Sequence, residues 1–228
     1  MELKRVVVTG LGSVTPIGND VATTWENALK GVSGAGPITQ FDASKFKTQF
    51  ACEVKDYDPS KYLDRKEARK CDRYTLLAIG ASEEAIADAK LNFDELNRDR
   101  IGVIFSAGIG GIKTFEEEVG YFYTHEEMGP KFNPFFIPKM ISDIAAGHIS
   151  IRHGLRGPNF GTVSACASST HSAITAFDLI RLGKADAMVV GGAEAAISVS
   201  GVGGFNAMTA LSTRNDSPQT ASRPFSAS

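Results

Sequence analysis

The chain has 228 residues, 43% of them hydrophobic and 22% charged, with a formal net charge of -2. Such a make-up is that of a soluble folded protein with a sizeable core, and it excludes a disordered or fibrous chain and a nucleic acid held across the whole surface. Three scattered cysteines, Cys52, Cys71 and Cys166, form neither a disulfide framework nor a zinc pattern, so a reducing cytoplasm is the simplest setting.

Val6 to Val8 read as a buried strand ended by Gly10 and Gly12, and this apolar run is too short for a signal segment. Asn19 or Asp20 is placed to cap a helix through Trp25 and Leu29 that stops at Gly31. Phe50 to Val54 alternates with the two-residue period of a strand. From Arg73 to Ala89, residues Tyr74, Leu77, Ala78, Ala81 and Ala85 fall on one helical face. Ile101 to Phe105 predicts a buried strand running into the loop Gly108-Ile-Gly-Gly111. A helix over Phe115 to Tyr123 and a loop over Met128 to Pro138 follow. Ser142 to Arg152 predicts a helix that ends near Gly154, with His148 and His153 placed to cap its last carbonyls. Next come a strand at Gly161 to Ser164, a helix over Ala167 to Leu182 with Ile174, Phe177 and Ile180 inward, and a strand at Ala187 to Val190. The weakly polar region from Ala187 to Gly204 is broken by Glu194 and by glycines, so it does not span a membrane.

This order makes the last strand, helix and strand a βαβ unit with Cys166 at its first strand-to-helix junction, where open α/β sheets collect their ligands. The run Gly161-Thr-Val-Ser-Ala-Cys-Ala-Ser-Ser-Thr-His171 surrounds the thiol with small residues. A thiol at such a turn has unpaired backbone N–H groups beside it, and the positive end of the helix dipole favours its thiolate. Cys166 is therefore the candidate nucleophile; a buried structural cysteine is the competing reading. His171, five residues on, is turned about 140° around the helix and is expected to be packed or hydrogen-bonded rather than a base for the thiol. Gly10-Leu-Gly12 lacks the third glycine of a dinucleotide fingerprint, that position being Thr15, and a lone glycine turn more often serves close backbone packing.

Several blocks together carry a resemblance: Val8-Thr-Gly-Leu-Gly-Ser-Val-Thr-Pro-Ile-Gly18, Asn133-Pro-Phe-Phe-Ile-Pro138, Gly154-Leu-Arg-Gly-Pro158, Ser164-Ala-Cys-Ala-Ser168, Val189-Val-Gly-Gly-Ala-Glu194 and Ala210-Leu-Ser-Thr-Arg-Asn215. In this order they resemble the amino-terminal half of the β-ketoacyl-acyl carrier protein synthase II family of condensing enzymes. The resemblance implies a thiolase-like layered α/β fold, a mixed sheet with helices on both faces, with residues 1–228 as one amino-terminal domain. It covers essentially the whole chain and stops at Arg223-Pro-Phe-Ser-Ala-Ser228, where family members continue into a second, similar half.

The implied activity is a decarboxylating Claisen condensation in fatty-acid elongation. Cys166 matches the family nucleophile, taking an acyl group from an acyl carrier protein, and its backbone N–H is one oxyanion donor. The second donor and two histidines that assist decarboxylation belong, in the family, to the other half, so this chain alone is expected to be acylated at most. Ile109 matches a pocket residue that moves for longer acyl chains, Phe136 an aromatic reaching into the neighbouring subunit's acyl tunnel, and Phe205 a gate near the thiol. For each, ordinary core packing is the alternative. Lys66, Arg69, Lys70 and Lys131 match a basic patch that docks the acidic carrier protein, although a charge run is usually a solvated face. Thr209 and Pro130 depart from basic positions of that patch. No cofactor, metal, nucleic acid or membrane is implied, and a homodimer in the cytoplasm is expected. A non-catalytic chain-length-factor-like partner is the alternative from another class, opposed by retention of Cys166. A nicotinamide oxidoreductase is opposed by Thr15.

Overall fold

A computed structural model describes residues 3–226. They form two compact units: the stretch up to Ser13 with Asp58–Ala195, and Val14–Tyr57 with the stretch from Ala196. Among the described residues no helix is long and apolar enough to cross a membrane.

The first unit is built on a parallel sheet of three strands, β3 (Ile101–Ser106), β4 (Asn159–Phe160) and β5 (Ala187–Gly192), in the order β4-β3-β5. Every residue of β3 is buried, as a central parallel strand covered on both faces requires. Its alternation decides what each face meets. Ile101, Val103 and Phe105 join the core formed by Tyr74, Ala78 and Ile79 of helix α3 (Arg73–Asp88) with Ala145, Ala146 and Ile149 of α6 (Ile144–His153). From the other face, Ser106 meets Ser172 of α7 (Ser168–Arg181), their hydroxyls 3.1 Å apart. Helices thus cover both sides of the sheet, and β4–α7–β5 is a crossover that places β4 and β5 on either flank of β3.

Local chemistry sets the helix ends. Asp72 caps α3 by accepting the Tyr74 N–H, and its other oxygen takes the Thr114 hydroxyl at 2.6 Å, tying α3 to α4 (Ile112–Thr124). Gly154, at φ +62°, ends α6, with the Leu155 N–H returning to the Ser150 carbonyl at 2.9 Å. This glycine cap satisfies the carbonyls that His148 and His153 were expected to take, and both imidazoles turn to side chains instead.

In the second unit α1 (Val21–Leu29) is capped by Asp20, and β1 (Ala35–Pro37) pairs antiparallel with β2 (Phe50–Cys52). Asn215 bridges the Gln49 N–H and the Lys47 carbonyl, both at 2.9 Å, holding the later stretch against this hairpin. Helix α8 (Val199–Ala207) starts at the Ser198 cap.

Four further expectations are corrected. Val6 to Val8 form no strand, and Val8 is 80% exposed; the segment instead lies on α3 through Gly10 and Gly12, where added Cβ atoms would stand 2.1 and 1.9 Å from the Ala85 and Ala81 carbonyl oxygens. That close approach is the packing role expected of the glycine pair. Residues 161–164 are not a strand either, because β3 ends at Ser106 and its hydroxyl, not a ladder carbonyl, takes the Thr162 N–H at 2.7 Å. Helix α7 turns Ser168, Ser172 and Ala176 inward, leaving Ile174 53% and Phe177 41% exposed, since small residues let it lie close to the sheet. Within the expected loop 128–138 a short helix begins, α5 (Phe136–Met140), which tolerates Pro138 because first-turn N–H groups need no helical acceptor.

A candidate active site at a loop-to-helix bend

Cys166 sits in a single 3-10 turn, Ala165–Ala167, that runs directly into α7. Ala165 holds φ at +52°, a region costly for a residue with a Cβ. The buried Ser168 stabilises this bend from both sides: its hydroxyl donates to the Ala165 carbonyl at 2.7 Å and accepts the Ser164 N–H at 2.9 Å. Beneath it lies a hydroxyl network. Ser172 Oγ donates to the Ser168 carbonyl at 3.0 Å and lies 3.0 Å from Thr162 Oγ1. The outcome is an exposed thiol on a supported bend. The Ala167 and Ser168 N–H groups turn back to the Ser164 and Ala165 carbonyls, whereas among the described residues nothing accepts the Cys166 N–H. An unpaired N–H beside a nucleophile can hold a developing oxyanion.

The other thiols differ. Cys52 is exposed on β2, while Cys71 is buried, its Sγ 3.7 Å from His148 Nε2. Despite that imidazole, burial pushes the Cys71 thiol up to about 11 from 9.0, while burial also lowers His148. A neutral thiol beside a neutral imidazole is a packed pair, not an activated one. Because burial makes the folded thiol the weaker acid, Cys71 contributes stability fully below pH 9.0, and the contribution is lost as pH rises towards about 11. In the native protein at pH 8, iodoacetamide is expected to spare Cys71 until urea unfolds the chain; native-state labelling of Cys71, read by mass, would contradict its burial. His171 Nδ1 lies 2.6 Å from the Ser164 hydroxyl, the hydrogen-bonded fate expected for it. His153 bonds Glu83 Oε1 at 3.0 Å, and Arg152 pairs with the same carboxylate.

The loop after β3 adjoins the bend. A Cβ on Gly108 would stand 3.2 Å from the Ala165 carbonyl carbon, tighter than ordinary van der Waals contact, so glycine eases this approach. Ile109, half-exposed, lines a cavity of about 400 Å³ with Ile112, Phe115, Met140 and Ile141, and with Ser142 and Asp143 as its polar members. Phe136 contacts the rim of this group: its ring lies 6.2 Å from Phe115 and stacks on Phe132 at 5.5 Å. Apolar side chains and one exposed thiol on adjoining loops suit a substrate with a reactive carbonyl and a hydrocarbon tail. Phe205 lies on α8 in the other unit, exposed on that helix.

Among the basic residues, Lys66 lies on α2 (Arg65–Ala68), whose start is capped by Asp64, and Arg69 follows as its C-cap. Both are exposed. Lys70 places its ammonium 5.7 Å from the Phe135 ring centroid, which brings α2 beside the segment carrying Lys131. The residues missed by the reading of the sequence are Ser168 and Glu194. Glu194 had a signal, as the sole charge between Ala187 and Gly204. Ser168 had none, because serine is common in any turn.

Comparison with known proteins gives a consistent result. Residues 3–227 match the family described as Beta-ketoacyl synthase, N-terminal domain. The chain is 48% identical over 226 residues to a 3-oxoacyl-[acyl-carrier-protein] synthase 2 of Staphylococcus aureus, covering 97% of this chain and 53% of that protein. A protein of the same name from Synechocystis sp. is also 48% identical over 226 residues, covering 99% of this chain and 54% of the relative. Among solved structures, a β-ketoacyl synthase from Burkholderia phymatum superimposes with a TM-score of 0.86 at 30% identity, covering 99% of this chain and 55% of that one. The chain therefore spans about half the length of the curated relatives it matches.

Proposed function

Since the chain belongs to the β-ketoacyl synthase family through its N-terminal domain, we propose that it is the nucleophile-bearing half of a condensing enzyme that elongates fatty acyl chains. The observation that carries this reading is the exposed Cys166 thiol on a hydroxyl-supported bend, with a backbone N–H that has no acceptor among the described residues. The Cys166 thiolate attacks the carbonyl of an acyl thioester on the pantetheine arm of an acyl carrier protein. A new C–S bond forms, the carrier thiolate leaves, and it takes up the proton that Cys166 gave up. Decarboxylation of malonyl carrier protein then releases carbon dioxide and leaves a carbanion. The carbanion attacks the acyl carbonyl, and the Cys166 thiolate departs as the β-ketoacyl product forms. In both steps charge develops on the carbonyl oxygen, where the Cys166 N–H donates.

Ile109 and Phe136 are read as acyl-pocket residues, supported by the cavity and the ring contacts around them, and Phe205 as a gate, on the resemblance alone. Lys66, Arg69, Lys70 and Lys131 are read as the docking patch for the acidic carrier protein, supported by the exposure of Lys66, Arg69 and Lys131 and by the Lys70–Phe135 contact. We place the protein in the cytoplasm as a homodimer, supported by its free cysteines and by the apolar side chains that α7 leaves uncovered.

The test joins this chain to the further residues that its relatives carry and supplies acyl and malonyl carrier proteins. One carbon dioxide per β-ketoacyl product is expected; acyl transfer without carbon dioxide release would overturn the condensing reading. In the same protein, reversing the charge of Lys66 and Arg69 is expected to raise the apparent KM for carrier-bound substrate by about tenfold, the worth of about 1.4 kcal/mol of lost attraction. Small pantetheine thioesters are expected to be unaffected, and an equal rise for both substrates would remove the docking role.

A further inference from the structure

Glu194 stands two residues beyond the end of β5, and each of its carboxylate oxygens holds one of two consecutive backbone N–H groups. Oε2 accepts from Ile109 at 2.8 Å and Oε1 from Gly110 at 3.3 Å. From the opposite side the same loop is held by the Gly111 N–H on the Met140 carbonyl at 3.0 Å. At its base, a Cβ on Gly108 would lie 3.1 Å from Glu194 Oε2 and 3.2 Å from the Ala165 carbonyl. Gly110 itself is at φ +89°, so the loop has a shape that its own side chains do not impose. The one side chain it sends into the cavity is Ile109.

From this arrangement we infer that Glu194 is a positioning residue that sets which acyl-chain lengths are admitted beside Cys166, by fixing Ile109. The inference rests on the reading of this cavity as the acyl pocket. As it stands the cavity beside Ile109 offers about 400 Å³ to a chain. A longer chain requires Ile109 to move, and wherever the loop backbone moves with that side chain it must give up the two backbone bonds to the Glu194 carboxylate. A carboxylate is required because it offers an acceptor to each N–H. An amide of the same shape keeps one bond and turns its NH2 group toward the other donor.

The experiment uses the complete enzyme and measures acylation of Cys166 by hexanoyl and tetradecanoyl carrier proteins, in wild type, Glu194→Ala and Glu194→Gln. The tetradecanoyl-to-hexanoyl rate ratio is expected to rise by about tenfold in Glu194→Ala, the factor that about 1.4 kcal/mol supplies, and by less in Glu194→Gln. Hydrogen exchange at the 108–111 amides is expected to quicken, while alkylation of Cys166 by iodoacetamide stays unchanged. An unchanged ratio overturns the inference, and so does an equal fall for both chains accompanied by slower alkylation, which marks a merely structural role. If Glu194→Ala does not fold, the ratio in Glu194→Gln decides. A wild-type enzyme that takes neither chain overturns the functional reading and this inference with it; one that takes both, with no change in the variants, overturns this inference alone.

Discussion

Replacing Cys166 by alanine in the complete enzyme is expected to lower β-ketoacyl formation by on the order of 10^4-fold or more, the scale on which loss of a covalent nucleophile acts. The loss falls on the chemical step because the acyl-enzyme can no longer form. Cys71 cannot substitute, being buried with its thiol held neutral at ordinary pH, and Cys52, on the β1–β2 hairpin, is not part of the supported Ala165–Ala167 turn. The variant should fold normally, because Cys166 is exposed and its bend is held by Ser168, Ser164 and Ala165 rather than by the thiol. Steady-state turnover beside a thermal melt checks both halves of this expectation. Activity that survives in a folded Cys166→Ala protein would remove the thiol from the mechanism.

Ile149→Ala carries the largest expected effect on stability, about 2–5 kcal/mol, the usual range for emptying a packed aliphatic site. Ile149 is 1% exposed and packs from α6 into the core shared with Ile101, Val103 and Phe105 of β3 and Tyr74 of α3. These elements fix one another at close range, so the void cannot collapse without moving the strand that leads to the Gly108–Gly111 loop. Ile151 stands two residues away on the same helix and is 83% exposed, so Ile151→Ala should change stability by no more than about 0.5 kcal/mol. Urea midpoints measured side by side make the comparison. Equal effects would contradict the way α6 faces the sheet.

The sequence was legible where one local rule and one period agreed. Asp20 and Gly31 bound α1, the alternation of Phe50 and Cys52 marked β2, and the run Ile101 to Phe105 marked the central strand. Gly154 ended α6 as expected. It misled where the partner is a tertiary property. Val6 to Val8 have the composition of a strand, yet a strand exists only where another backbone pairs with it, and here the segment is held by glycine contacts to α3. Apolar periodicity placed Ile174 and Phe177 inward on α7. The inward face is instead Ser168, Ser172 and Ala176, whose small side chains let the helix lie close enough for the Ser172 and Ser106 hydroxyls to meet at 3.1 Å.

The candidate site divides in the same way. The sequence marked Cys166 as a candidate because it is a thiol among small residues just ahead of a helix; the Ala165–Ala167 turn does lead into α7, but the strand expected before it is not formed. The lysines and phenylalanines gained meaning only from the family resemblance, since charged and aromatic side chains have ordinary roles everywhere. Glu194 was visible as a solitary charge, but its bonds to Ile109 and Gly110 join residues 84 and 85 positions apart, which no local pattern encodes.

The most direct measurement is peptide mapping by mass spectrometry after the complete enzyme has been incubated with an acyl carrier protein loaded with a fatty acyl group, malonyl substrate being withheld. The acyl mass is predicted on the peptide containing Cys166, removable by hydroxylamine as a thioester is. The same mass on Cys52 or Cys71 peptides with Cys166 unmodified, or no covalent acyl group at all, would contradict the account.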